Sequence, residues 1–101
     1  MSIHKLKGLF NTRQVWLDGI ELDPKKSQAI SNHSPDGFSW GYGGSGPAQL
    51  AMSIMIELNG SHGFYNDLKW DLVAKLPVGN DFEVEFTWGH SVNRAVLLGV
   101  H

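Results

Sequence analysis

The sequence predicts a small α+β fold in which an antiparallel sheet packs against an antiparallel pair of helices. Three observations carry that expectation. Phe82-Glu83-Val84-Glu85-Phe86 alternates strictly, which puts Phe82, Val84 and Phe86 on one face of a strand. Leu50, Ile54 and Leu58 recur four residues apart and are joined by Ala51 and Met55, so 47–58 reads as a helix with one apolar face. Phe64, Leu68, Leu72 with Val73, and Leu76 mark a second helix over about 63–76. The short Asn59-Gly60-Ser61 link makes the two helices antiparallel neighbours.

From the N-terminus, 4–10 and 13–18 read as two short strands, with Leu6, Leu9 and Phe10 in the first and Val15, Trp16 and Leu17 in the second. Asn11-Thr12 supplies the turn between them, and Asp18-Gly19 a second turn of the hairpin kind. Together with the strand near 82–86, this hairpin makes the sheet. Ile20-Glu21-Leu22 continues as a short third strand until Asp23-Pro24 stops it. The polar stretch 25–36, with Ala29-Ile30 as its apolar pair, fits either a short strand or a turn of helix. Phe38, Trp40 and Tyr42 alternate with small residues, which predicts three rings on one side of an extended segment. Pro47 suits the first turn of the helix that follows, with Ser45 or Gly46 as cap, and Asn59-Gly60 ends it. Gly89 to Leu98 allows a short helix through its spacing, or a strand through its β-branched content.

The 101 residues fit a single domain, 1–101, and 42% hydrophobic residues with four tryptophans can fill one core. The formal net charge is −2 and the basic residues are scattered, which argues against a nucleic-acid partner. With no cysteine, a disulfide framework, a thiolate zinc site and a Cys nucleophile are excluded. Met1 to Lys5 lacks the pattern of a signal peptide, and the apolar-leaning run Pro47 to Ile56 is too short to span a bilayer. The expectation is a cytoplasmic protein without a membrane partner. Nothing in the sequence calls for a cofactor.

Gly41-Tyr42-Gly43-Gly44-Ser45-Gly46 satisfies G-x-G-x-x-G between an extended segment and a helix. Glycine permits close approach of a ligand to the backbone, and a helix start offers N–H groups and a partial positive charge to a phosphate or carboxylate. Trp40 and Tyr42 would stack on a base or sugar; His33 or Lys69 would add charge complementarity. The ligand-binding set is therefore Trp40, Tyr42, Gly43, Gly44, Ser45, Gly46, His33 and Lys69. Against it, a dinucleotide fold needs a βαβ unit, whereas a second helix follows here, and Pro47 removes one N–H. The glycines serve equally well for a tight crossing of strand over helix end with the rings in the core.

Catalytic readings are poorer. Ser45 has Pro47 where a nucleophile elbow needs glycine. His33, Ser34 and Asp36 are adjacent, as the members of a triad rarely are, and local side-chain bonds in a turn account for them more simply. His4, His33, His62, His90 and His101 lack ligand spacing, so no metal site is expected. Trp16 and Trp70 are expected in the core; Trp88 is left open.

Asn32 through Ala51 spells NHSPxGFxWGYxGSGPAQLA, with Asp36, Ser39 and Gly43 at the open positions. This run resembles an uncharacterised family, a domain of unknown function in small proteins of bacteria, phages and plasmids. The resemblance continues through Tyr65, Lys69, Val73-Ala74 and Leu76-Pro77 and takes in the hairpin at Asp18-Gly19, about residues 5–80 in all. It does not reach the segment from Phe82 onward. It implies no activity, but it does imply the setting of accessory proteins of mobile elements, which often act by binding, in the host cytoplasm if phage-encoded.

The first expectation is therefore a non-catalytic binding protein, of counter-defence type, for a small anionic, nucleotide-like ligand. The second is an inhibitor of the anti-CRISPR kind that binds a host protein through exposed residues near Trp88 or Asp81 to Glu85. The third is a small enzyme on a nucleotide derivative, with His33 as general base. A homodimer is compatible with so small and aromatic a domain.

Overall fold

A computed structural model describes residues 3–60, 62–89 and 92–100. Expectations that involve Met1, Ser2, Ser61, His90, Ser91 and His101 fall outside those residues. Five strands form one antiparallel sheet: β1 (Ile3–Leu9), β2 (Gln14–Leu17), β3 (Ile20–Glu21), β4 (Phe82–Gly89) and β5 (Arg94–Val100), in the order β3-β2-β1-β4-β5. With them run three helices, α1 (Pro24–Ile30), α2 (Ser45–Asn59) and α3 (Tyr65–Asp71), and a 3-10 turn at Val73–Lys75. The α+β class and the packing of hairpin, later strand and helices agree with the sequence reading.

Alternation sorts the sheet into two faces. Leu6 sits opposite Leu17 on one side and Val84 on the other, and Gly8 sits opposite Val15 and Phe82. Leu6, Val15, Leu17, Phe82 and Val84, with Phe86 and Trp88, meet Leu50, Ile54, Met55, Leu68 and Leu72 in a single core. Each large apolar side chain so buried contributes about 1.5–3 kcal/mol. The opposite face, with Lys5, Lys7, Glu21 and Glu83, is exposed.

Helix α2 is the centre of the fold. Every residue from Gly46 to Ile56 is buried, so its apolar stripe understates its burial: sheet, α1 and α3 surround it, and a helix enclosed on all sides needs no polar face. At its end Gly60 takes the left-handed conformation (φ 74°) and its N–H returns to the Ile56 carbonyl, the stop expected at Asn59-Gly60.

Several local expectations are corrected. Asp23-Pro24 begins a helix rather than only ending a strand. The Asp23 carboxylate accepts the Lys25 N–H at 3.0 Å and Pro24 takes the first helical position, so the undecided stretch starts as α1. The helix expected over 63–76 is shorter and breaks at Leu72 (φ −128°, ψ −64°). There the Asp71 carboxylate binds across to β5. The segment after the β4 turn is a strand, β5. The tryptophans are also redistributed. Trp88 is buried, Trp16 is half-buried on the helix-free face, and Trp70, expected inside, is exposed.

Candidate functional site

The glycine loop does run straight into α2, but the three rings before it do not share a side. Phe38 and Trp40 are buried, whereas Tyr42 is 47% exposed. The alternation fails at Gly41, which takes φ +88°; a Cβ there would lie 2.6 Å from Val78 Cα, and its N–H donates to the Val73 carbonyl at 3.0 Å. Only glycine fits this crossing. Trp40 is therefore corrected from a stacking surface to a core residue. Its indole N–H donates to the Asn80 carbonyl at 3.0 Å, and its ring meets Phe82 edge-on with centroids 4.8 Å apart.

The later glycines hold the protein's own side chains. The Trp70 indole fills the space a Cβ would need at Gly43. The Tyr42 ring does the same at Gly44, and Ser39 Cβ lies 2.7 Å from the corresponding point at Gly46. Expected ligand clearance at Gly43, Gly44 and Gly46 is thus largely internal packing. Around the loop stand two half-exposed rings, Tyr42 and Trp70 (53% exposed). The Lys69 ammonium lies 4.6 Å from the Trp70 ring centroid, so α3 does bring Lys69 toward the loop.

Between those rings α2 begins. Gly44 is its N-cap without a side-chain cap, no acidic residue sits in the first turn, and Ala48 N–H makes the first helical bond, to the Gly44 carbonyl at 3.0 Å. Ser45 and Gly46 carry amide N–H groups at positions that no helical carbonyl serves, and Pro47 has none. The Ser45 residue is exposed, and Tyr42 Oη reaches the first turn at Gly46. Hydroxyls, amides, the helix dipole and a lysine suit an anion, and the flanking rings suit a flat group.

His33 is placed separately. Its ring packs against Tyr65 with centroids 5.5 Å apart, and its backbone is held by Gln49. Gln49, fully buried on α2, was missed as an organiser. Its Oε1 accepts the N–H of His33 (2.8 Å) and Ser34 (3.1 Å). Its Nε2 donates to Ser27 Oγ (2.8 Å) and the Ser31 carbonyl (3.3 Å). The signal in the sequence was a glutamine interrupting an apolar run. One side chain on the second turn of α2 thus ties the Asn32-to-Pro35 segment to the helix that the glycine loop begins.

No group of three His, Asp or Glu side chains among the described residues is placed to hold a metal, and no described helix is long and apolar enough to cross a membrane. Of the residues expected near a partner surface by Trp88 and Asp81 to Glu85, Trp88 is buried, and Asp81 accepts the Phe10 N–H at 2.7 Å. A concavity of about 290 Å³ lined by Lys5, Lys7, Trp16, Gly19 and Glu83 lies on the helix-free face instead.

Fold and loop together define a small one-sheet α+β domain with an aromatic-flanked, uncapped helix start. The chain belongs to a family of unknown function (DUF6166), whose model matches residues 6–96. The match extends past Pro77 into β4 and β5, beyond the reach of the resemblance read from the sequence. Neither the curated proteins nor the solved structures gave a match.

Proposed function

We propose that this protein is a non-catalytic binding protein that holds a small phosphorylated, nucleotide-like ligand at the start of α2. The observation that carries the reading is the α2 N-terminus, which has neither a capping side chain nor an acidic residue in its first turn and stands between Tyr42 and Trp70. A phosphate there would meet the Ser45 and Gly46 amides, the Ser45 and Tyr42 hydroxyls and the Lys69 charge. The ligand's flat ring would lie on Trp70. Trp40 has no part, and His33, held by Gln49 and packed on Tyr65, stands apart from the site. The mobile-element setting that the sequence resemblance implies would make sequestration of a defence signal in a host cytoplasm the natural use of such binding.

Thermal melting against mono-, di- and cyclic nucleotides, ADP-ribose derivatives and inorganic phosphate tests the reading. A ligand that binds only the folded state raises Tm in proportion to the logarithm of its concentration. Trp70→Ala and Lys69→Ala should remove that shift while leaving the ligand-free Tm within a few degrees. No shift across the panel, or a shift that both variants retain, would refute it.

A second reading, an inhibitor that binds a host protein, is favoured by one observation. Val78 is 63% exposed and packs beside Gly41, so it extends the Tyr42–Trp70 patch in the apolar, aromatic manner of an interface anchor. Stoichiometric capture of a partner from lysate, lost in Trp70→Ala, would support it.

A further inference from the structure

We propose that this protein has a second site, at the end of α2 away from the glycine loop, for a small amine with an apolar body. It does not rest on the reading above, which places an anion at the positive end of the helix. The start of β1, the turn from β2 to β3 and the last turn of α2 enclose a concavity of about 260 Å³ there. Leu17, Leu22 and Leu58 form its apolar walls, with Ile20, 72% exposed, beside them. Its polar side chains are His4, Asp18 and Glu57.

Local structure fixes what those groups can do. Asp18 and Gly19 both take left-handed φ, 52° and 84°, as a two-residue hairpin turn requires. The turn sets the Asp18 carboxylate against β1, where Oδ1 accepts the Lys5 N–H at 2.8 Å and Oδ2 meets His4 Nδ1 at 2.8 Å. A carboxylate only accepts, so Nδ1 carries the hydrogen and a neutral ring keeps Nε2 as an acceptor. Phe86 backs the ring, with centroids 5.4 Å apart, and the His4 side chain is 20% exposed. Glu57 Oε1 accepts the Lys26 ammonium at 2.8 Å, which leaves Oε2 for a ligand. The polar side chains on the concavity thus offer acceptors, and a ligand must bring donors.

Charge gives the donor its sign. Asp18, Glu57, His4 and Lys26 together carry one negative charge when His4 is neutral and none when it is protonated, so an anion gains nothing here. Helix α2 adds to the negative side, because its last turn holds no basic residue and its dipole is negative at that end. An ammonium therefore sits by Glu57 and His4 Nε2 while its carbon body lies on the leucines. A dry cavity of about 150 Å³ accepts benzene, so this concavity has room for one ring and a short arm to the nitrogen.

An NMR titration of the full chain with phenethylamine, read at the backbone amides, tests the site. The expected result is saturable movement confined to 17–22, 57–58 and His4. The Kd should rise about tenfold in Glu57→Gln, the worth of one charged hydrogen bond. Saturation should be lost in Ile20→Lys, which brings a like charge to the concavity. Both residues are exposed enough for the variants to fold, and their ligand-free spectra check it. Phenylpropionate, of the same shape and opposite charge, should leave these amides unmoved. No saturable shift with the amine, an equal response to the anion, or binding that both variants retain overturns the proposal. So does an amine whose shifts map to 44–46 and 69–70. Binding at the glycine loop is read at those other amides, so either site can fail alone.

Discussion

Asp71 grips Arg94 with both carboxylate oxygens. Arg94 Nε donates to Oδ2 at 2.7 Å and Nη2 to Oδ1 at 2.6 Å, while the Ala95 N–H adds a third bond to Oδ2 at 3.1 Å. The last residue of α3 is thereby fixed to the first residues of β5, joining the helix that carries Trp70 to the edge of the sheet. The hydrogen-bonded Arg94 guanidinium holds the Asp71 carboxyl below its ordinary value; the Ala95 N–H and the Lys75 charge act the same way, against the effect of burial. Because the folded-state pKa is depressed, the stabilisation is complete above the unfolded carboxylate value of about 3.9. It is lost as pH falls through the folded-state value. Asp71→Asn should therefore lower Tm by several degrees at pH 7, and the gap to the parent should narrow as the pH falls below about 4. A gap that does not narrow as the pH falls below about 4 would show that the charge is not what the pair contributes.

Gln49 satisfies four groups from a position with no solvent access. Gln49→Leu keeps the volume but leaves the His33 and Ser34 N–H groups without their acceptor. The expected cost is on the order of 2–4 kcal/mol, since stranded polar groups bear their full desolvation. Gln49→Glu keeps the acceptor, and when protonated its single O–H can donate to Ser27 Oγ or to the Ser31 carbonyl but not to both, so it should fall in between at low pH; it should fare worse near neutrality, where a buried charge without a donor would be forced. Urea unfolding of the three proteins gives the order directly.

The glycines of the loop separate two physical requirements. Gly41 needs both a left-handed φ and contact with the Val78 backbone, whereas Gly43 needs only room for the Trp70 ring. Gly41→Ala should cost about 2 kcal/mol or more, because backbone strain adds to a clash with atoms that cannot rotate away. Gly43→Ala should cost about 1 kcal/mol or less, since an exposed indole can swing aside. Chemical denaturation compares the two costs, and a red-shifted, more quenchable tryptophan emission in the second variant checks the mechanism. Equal costs would mean that the crossing at Gly41 is not rigid.

What the sequence revealed and what it hid follow from how local each cause is. The period-2 run at Phe82 and the four-residue spacing from Leu50 to Leu58 report elements whose burial repeats with their own geometry, and both elements are present. Asp23-Pro24 was ambiguous because the same dipeptide ends strands and caps helices; the hydrogen bond to Lys25 N–H decides it. The Phe38–Trp40–Tyr42 alternation held for two rings and then failed, because one left-handed glycine redirects the chain and a side-chain pattern carries no dihedral angles. Trp88 was left open although the period-2 alternation could have placed it, and Trp70 was beyond local reading. Trp88 lies on β4, whose alternation extends past Phe86 to the inward side, while Trp70 sits on the side of α3 that turns from the core toward Gly43.

That reversal makes the tryptophans the sharpest check on the site. Trp40 is 2% exposed, donates to Asn80 and meets Phe82 edge-on. Trp70 rests on a loop with half its surface in solvent. Trp40→Leu should cost about 3–5 kcal/mol, the range of a large core truncation, and Trp70→Leu about 1 kcal/mol or less, as for an exposed position. The contrast matters for function because a residue that stabilises little yet remains large and aromatic on a surface is free to serve a partner. Iodide quenching of the parent should report an accessible class that shrinks in Trp70→Leu to the contribution of the half-buried Trp16 and is unchanged in Trp40→Leu. If the loss of stability were equal in the two variants, Trp70 would be a structural residue, and the α2 loop would lose its flat wall.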